Sequence, residues 1–61
     1  MVDTEKGYNL KAEGDREMRK GLFFLAITLY DQALDILKND VAIKCNKALA
    51  YIRVEWFDKA I

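Results

Sequence analysis

Apolar residues recur at helical spacing through the middle of this chain. Between residues 23 and 37 they follow an i, i+3, i+4, i+7 pattern that collects them on one face: Phe23, Ala26, Ile27, Tyr30, Ala33, Leu34 and Leu37. Polar residues fall largely on the opposite face, namely Thr28, Asp31, Gln32, Asp35 and Lys38. The pattern predicts an amphipathic helix over about 23–37.

Two further helices are predicted on either side of this segment. The first covers about 4–20 and ends at Gly21, because glycine readily takes the left-handed conformation that follows many helices. Asn39 and Asp40 then interrupt the apolar pattern and offer an N-cap for the next helix. The absence of proline from the chain supports a helical interpretation throughout.

The last predicted helix covers about 41–53 and is followed by a second aromatic segment. Its apolar stripe would consist of Ala42, Cys45, Ala48, Leu49 and Ile52, with Tyr51 beside it. Trp56 and Phe57 then suggest the first turn of a fourth helix. The predicted fold class is therefore all-α, an α-solenoid fragment of antiparallel helix–turn–helix units with about three helices plus the start of a fourth.

Composition limits the chemistry that this chain can perform. It has 61 residues, enough for one small domain over 1–61, and Cys45 is its single cysteine. A single cysteine cannot form a disulfide within the chain, and without histidine one thiol cannot make a four-ligand zinc site, so no metal or cofactor is predicted. The lack of histidine, serine and a phosphate-binding glycine loop argues against an enzyme.

Charge and hydropathy indicate the expected surroundings of the chain. Ten basic residues balance ten acidic ones, whereas nucleic-acid-binding domains usually carry a basic excess. The apolar run over 22–30 is much shorter than the roughly 20 residues that cross a bilayer. We expect no nucleic-acid or membrane partner and a cytoplasmic location.

Aligning the sequence with itself reveals a period of 34 residues. At this offset Gly14 pairs with Ala48, Leu22 with Trp56, Phe23 with Phe57, Ala26 with Ala60 and Ile27 with Ile61. The segments Lys11-Ala12-Glu13-Gly14-Asp15 and Asn46-Lys47-Ala48-Leu49-Ala50-Tyr51, together with the amphipathic pattern over 23–34, resemble the helices of tetratricopeptide repeats. The resemblance implies one repeat over about 7–40 and a partial repeat over about 41–61. Glu17 departs from the aromatic usual in the family, and Asn39-Asp40 replaces its frequent proline.

The family resemblance also implies a function. In tetratricopeptide proteins the first helix of each repeat lines a concave groove that binds a peptide segment of a partner protein. By register the groove residues would be Tyr8, Lys11, Asp15, Met18 and Arg19 from the first repeat, and Ala42, Cys45, Leu49 and Ile52 from the second, with Asn46 at the edge.

A subset of the family, found in chaperone cofactors, grips the carboxylates of acidic heat-shock chaperone tails with a carboxylate clamp. Lys11 and Asn46 match two clamp positions, whereas Asp15 stands where asparagine is usual. An ionised Asp15 would repel a ligand carboxylate. The alternative is that Lys11 and Asp15, four residues apart, form a solvent-exposed ion pair.

Two other functions stay open at the level of sequence. The chain could be a structural helical module that self-associates, as a dimer or by domain swapping, through an exposed apolar helix face. It could also be a microtubule-interacting-and-trafficking-type three-helix domain, which resembles one and a half tetratricopeptide repeats and binds helical motifs between its helices rather than extended tails. The 34-residue register favours the tetratricopeptide interpretation over the latter.

Overall fold

A computed structural model describes residues 4–60 of the chain, with side chains described as far as Trp56. It consists of three α-helices: α1 (Thr4–Lys20), α2 (Phe23–Ile36) and α3 (Val41–Ala60). No strand occurs within this described part, so the all-α class is confirmed. The bounds of α1 match the prediction, and α2 ends one residue earlier than predicted.

Both predicted helix breaks are confirmed by their backbone geometry. Gly21 has a φ of 84°, and the amides of Gly21 and Leu22 donate to the carbonyls of Met18 and Glu17. These two hydrogen bonds form a Schellman motif that ends α1. At the second break the carboxylate of Asp40 accepts a hydrogen bond from the amide of Ile43 at 3.1 Å, which caps the start of α3.

The predicted end of the third helix and the start of a fourth are wrong. α3 continues without interruption from Val41 to Ala60. The physical reason is that neither Val54 nor Glu55 breaks a helix, whereas the first repeat has Gly21 at the position equivalent to Glu55. Three of the pairs in the 34-residue repeat include Phe57, Ala60 or Ile61. The side chains of these three residues lie outside the described part of the structure.

The central helix α2 packs against both of its neighbours, whereas α1 and α3 meet only at a few points. The predicted apolar face of α2 is confirmed, because Ala26, Tyr30 and Ala33 form the core together with Ile43 of α3. Partly buried apolar side chains surround this core: Leu10, Met18, Leu34 and Leu37. The two alanines leave no side-chain bulk beyond Cβ, so neighbouring helices can approach closely.

The predicted apolar stripe of the third helix does not face the core. α3 instead packs through Ile43 and Ala50, which are buried, with Asn46, Lys47 and Val54 partly buried beside them. The predicted stripe residues are all exposed, namely Ala42, Cys45, Ala48, Leu49 and Ile52, and Tyr51 is 51% exposed rather than a packing aromatic. The reason is that α3 carries apolar residues on two opposite faces, so spacing alone does not identify the packed one.

An ion pair adds to the contact between α2 and α3. The ammonium group of Lys47 pairs with the carboxylate of Asp31, and both side chains remain partly solvent-exposed. Ion pairs in such surroundings contribute about 0–1 kcal/mol, so apolar packing dominates this contact.

A close contact between Gly14 and Tyr30 fixes the distance between α1 and α2. Tyr30 is only 1% exposed, and its ring lies directly over the backbone of Gly14. A Cβ atom added at Gly14 would stand 2.6 Å from Cε1 of that ring. The buried ring therefore requires a residue without a side chain at position 14.

We expect Gly14→Ala to lower the free energy of unfolding by about 1–3 kcal/mol, because the added methyl group overpacks the contact with Tyr30. The sign of this change tests the close contact, since Gly→Ala inside an unhindered helix raises the free energy of unfolding by about 0.5–1 kcal/mol. Urea unfolding followed by far-ultraviolet circular dichroism measures the change. Glu13→Ala, at the exposed neighbouring position, is the control and should stay within about 0.5 kcal/mol of wild type. A stabilised Gly14→Ala variant would contradict the close contact.

Candidate functional site

An open cleft lies between α1 and α3, with α2 beneath it. Its volume is about 290 Å³, and side chains from all three helices line it: Asp15, Met18 and Arg19 from α1, Tyr30 from α2, and Asn46, Leu49 and Arg53 from α3. The cleft forms because α1 and α3 both pack against α2 and make few contacts with each other. It is a concave surface that is open to solvent.

A hydrogen-bond network at the base of the cleft joins the three helices. The hydroxyl of Tyr30 donates to Oδ1 of Asp15 at 2.5 Å, and the side-chain amide of Asn46 donates to the same oxygen at 3.2 Å. Asp15 therefore accepts from α2 and from α3 at once. Because an unpaired polar group is costly when buried, this network favours one rotation of α3 about its axis.

The Tyr30 phenol is strongly perturbed by its surroundings. Burial raises its pKa above the ordinary value of 10, and the hydrogen bond to Asp15 and the negative charge of that carboxylate raise it further. All three causes favour the neutral phenol. Tyr30 therefore acts as a hydrogen-bond donor at physiological pH and holds Asp15 in place.

The walls of the cleft carry two guanidinium groups. Arg19 on α1 and Arg53 on α3 are both exposed, and neither forms a hydrogen bond or an ion pair with another side chain in the described part of the structure. Partly buried Met18 and exposed Leu49 supply apolar surface between them. The cleft thus combines cationic walls with an apolar lining and a carboxylate that is already hydrogen-bonded.

The structure brings together four of the six residues predicted to bind a peptide. Asp15, Arg19, Asn46 and Leu49 line the cleft, whereas Tyr8 and Lys11 do not. Three further predicted groove residues on α3 also lie outside its lining: Ala42, Cys45 and Ile52. Peptide binding by any of these residues stays a prediction.

The alternative interpretation of Lys11 and Asp15 as an exposed ion pair is wrong. Within residues 4–56, Lys11 forms no ion pair, and the Asp15 carboxylate accepts hydrogen bonds from Tyr30 and Asn46 instead. The physical reason is that a carboxylate at this position meets two donors on neighbouring helices. These donors lie 15 and 31 residues away along the chain.

Sequence reasoning missed two residues of the cleft, Tyr30 and Arg53. The sequence pattern places Tyr30 on the apolar face of α2, and its ring does lie in the core, but its hydroxyl reaches the base of the cleft. Arg53 follows Arg19 by 34 residues, the period of the repeat. That offset is a signal that could have identified Arg53 as the second cationic wall.

Other kinds of site find little support in the described residues. Among them, no group of three or more histidine, cysteine, aspartate or glutamate side chains could hold a metal ion. None of the three helices, as far as they are described, has the length and apolar character to cross a membrane. Cys45 is exposed and unpaired.

Comparison with known proteins gives no relative from which a function could be transferred. No family model matches the chain, and no curated protein or solved structure matches it. The cleft itself is therefore the guide to function, and the tetratricopeptide resemblance stays a prediction from the sequence.

We expect the stability of the folded chain to decrease above about pH 10, because the unfolded chain can ionise Tyr30 there whereas the folded chain retains the proton. The contribution of Tyr30 to the free energy of unfolding is fully present below pH 10. It is lost as the pH rises, by up to about 1.4 kcal/mol per pH unit. Unfolding in urea at a series of pH values measures it.

Two phenylalanine variants assign this effect to one tyrosine. Tyr30→Phe should show a shallower loss of stability above pH 10 than wild type, because it lacks the titrating hydroxyl. Tyr8→Phe removes an exposed hydroxyl and should retain the wild-type slope. Equal slopes for wild type and Tyr30→Phe would contradict the buried phenol–carboxylate hydrogen bond.

Proposed function

We propose that this chain is a protein–protein interaction module of the tetratricopeptide type, which binds an acidic peptide segment of a partner protein in the cleft between α1 and α3. The observation that carries the proposal is the pair of exposed arginines, Arg19 and Arg53, on opposite walls of a cleft of about 290 Å³. The role is one of binding rather than catalysis. We place it in the cytoplasm, in keeping with the single unpaired cysteine.

The chemistry of the cleft favours carboxylate ligands. A guanidinium group can form two parallel hydrogen bonds with one carboxylate, which gives both affinity and orientation. Arg19 and Arg53 could therefore each hold one carboxylate of an extended acidic segment. The apolar surface of Met18 and Leu49 would contact the aliphatic parts of the same peptide.

The hydrogen bonds of Asp15 reduce its conflict with an acidic ligand. An ionised carboxylate would repel a peptide carboxylate at close range. Here the Asp15 oxygen already accepts from Tyr30 and Asn46, which disperse its charge and keep it at the base of the cleft. Asp15 is thus assigned a structural role, and the ligand-facing charges are those of the arginines.

The proposed ligand chemistry differs in one respect from a carboxylate clamp. In this cleft the amide of Asn46 donates to Asp15, and Lys11 is not part of the lining. The contact to a carboxylate would therefore come from Arg19 and Arg53 rather than from Lys11. An acidic C-terminal tail of a heat-shock chaperone remains one partner with suitable chemistry.

One observation favours a second candidate function. Because α3 runs without a break to Ala60, the described chain is a three-helix unit, as a microtubule-interacting-and-trafficking-type domain would be. Such a domain binds a helical motif rather than an extended tail. The two functions differ in the conformation of the bound peptide. The NMR shifts of the amides of the peptide distinguish a helical from an extended conformation.

We expect a short peptide of aspartate and glutamate with a free C-terminal carboxylate to shift the backbone amides around Arg19, Asn46, Leu49 and Arg53 in NMR titrations. Arg19→Gln and Arg53→Gln should each weaken binding about fivefold, equivalent to about 1 kcal/mol for a solvent-exposed ion pair. The double variant should lose most of the affinity.

Two controls separate the cleft from general electrostatic attraction. Lys38→Gln removes one positive charge from an exposed position outside the cleft and should bind as wild type does. The amidated peptide should bind more weakly if the terminal carboxylate occupies one of the arginines. Unchanged affinity in the double arginine variant, or shifts distributed evenly over the surface, would reject the proposed site.

A further inference from the structure

The side of α3 that faces away from the core carries a continuous apolar stripe. We call Val41, Cys45, Ala48, Ile52 and Trp56 the outer stripe. At 3.6 residues per turn their spacing confines them to an arc of about 80° along the helix. All five are exposed, with Val41 and Trp56 each 68% and Ile52 47% accessible.

The outer stripe lies on the opposite side of α3 from the residues that pack against α2. Ile43 and Ala50, both buried, project about 180° away from it. α3 is thus apolar on two opposite faces, and only one of them is covered in the described structure. A helix with two opposite apolar faces characteristically packs against neighbours on both sides.

We infer that the outer stripe packs against the same stripe of a second copy of this chain, with the two α3 helices antiparallel about a two-fold axis between Ala48 and Leu49. The stripe is self-complementary about that point. Val41 then faces Trp56 of the second copy, and Cys45 faces its Ile52. The small side chain of Ala48 lies at the centre, where it permits close approach of the two helices.

Charges beside the stripe favour the antiparallel arrangement. Lys44 and Glu55 are both exposed and lie on the same edge of the stripe, about 20° apart around the helix. The two-fold axis brings Lys44 to within about 3 Å, measured along the helix axis, of the level of Glu55 of the second copy. Two equivalent ion pairs result. In a parallel arrangement Lys44 of one copy and Glu55 of the other would lie on opposite sides of the interface, so these ion pairs could not form.

No contact within one chain competes with these pairs in the described structure. Lys44 and Glu55 are separated by about 16 Å along α3, and neither forms an ion pair with another described side chain. The cleft lies at a different angle around α3, because Leu49 and Arg53 project from the edge of the outer stripe opposite Lys44 and Glu55. The inference therefore does not rest on the proposed peptide-binding function.

Sedimentation equilibrium over a range of protein concentrations tests the inference. We expect the mass to rise from 7.1 kDa toward twice that value as the concentration increases toward about 1 mM. Ile52→Asp should remain monomeric. Because Ile52 is 47% exposed, this variant should keep the wild-type helical circular dichroism spectrum.

Charge reversals test the register of the dimer. Lys44→Glu and Glu55→Lys should each weaken dimerisation by at least about tenfold, since each replaces two attractive pairs with two repulsive ones. An equimolar mixture of the two single variants should recover association, because each then supplies the charge that the other lacks. The double variant should also recover it. Lys38→Glu, a reversal outside the stripe, is the matched control and should dimerise as wild type does.

Three outcomes would overturn the inference. A mass that stays at 7.1 kDa up to about 1 mM would exclude the second copy as the occupant of the stripe. A dimer that neither single charge reversal weakens would place the contact elsewhere. If both single charge reversals weaken the dimer but their equimolar mixture does not associate, the antiparallel pairing of Lys44 with Glu55 is excluded.

Discussion

The burial of Tyr30 between α1 and α3 imposes two requirements at once: space for an aromatic ring against α1 and a partner for its hydroxyl group. Gly14 provides the space, because any side chain there would meet the ring, and Asp15 at the next position provides the acceptor. Asn46 of α3 donates to the same carboxylate oxygen. The separation of α1 from α2 and the rotation of α3 therefore both depend on one side chain of the central helix.

Much of the fold could be predicted because the relevant signals are local. The apolar face of α2 repeats at helical spacing, Gly21 ends α1 through its positive φ, and Asp40 caps α3. The end of α3 could not be predicted from the repeat, because the register that aligns Trp56 with Leu22 also aligns Glu55 with Gly21. Glutamate extends a helix where glycine ends one, so the local residue overrides the long-range pattern.

The site was predictable only in part, for a different reason. The register of the repeat located Asp15, Arg19, Asn46 and Leu49 on the cleft-facing sides of their helices, but it says nothing about which of them bond to each other. The network depends on a hydroxyl from α2, a helix for which the sequence predicts an apolar face and no groove residue. Contacts between residues 15 and 31 positions apart are set by helix packing, which no pattern along a single helix encodes.

The rotation of α3 decides what both of its free sides can do. With Ile43 and Ala50 against α2, Leu49 and Arg53 necessarily turn toward α1, and the outer stripe necessarily turns to solvent. A chain of 61 residues buries a small core and has little stability to spare. Anything that binds the folded state alone adds to that stability by mass action, whether it occupies the cleft or the stripe. The Asp15–Asn46 hydrogen bond therefore links stability to recognition, because it acts together with the packing of Ile43 and Ala50 to favour the rotation of α3 that presents both surfaces.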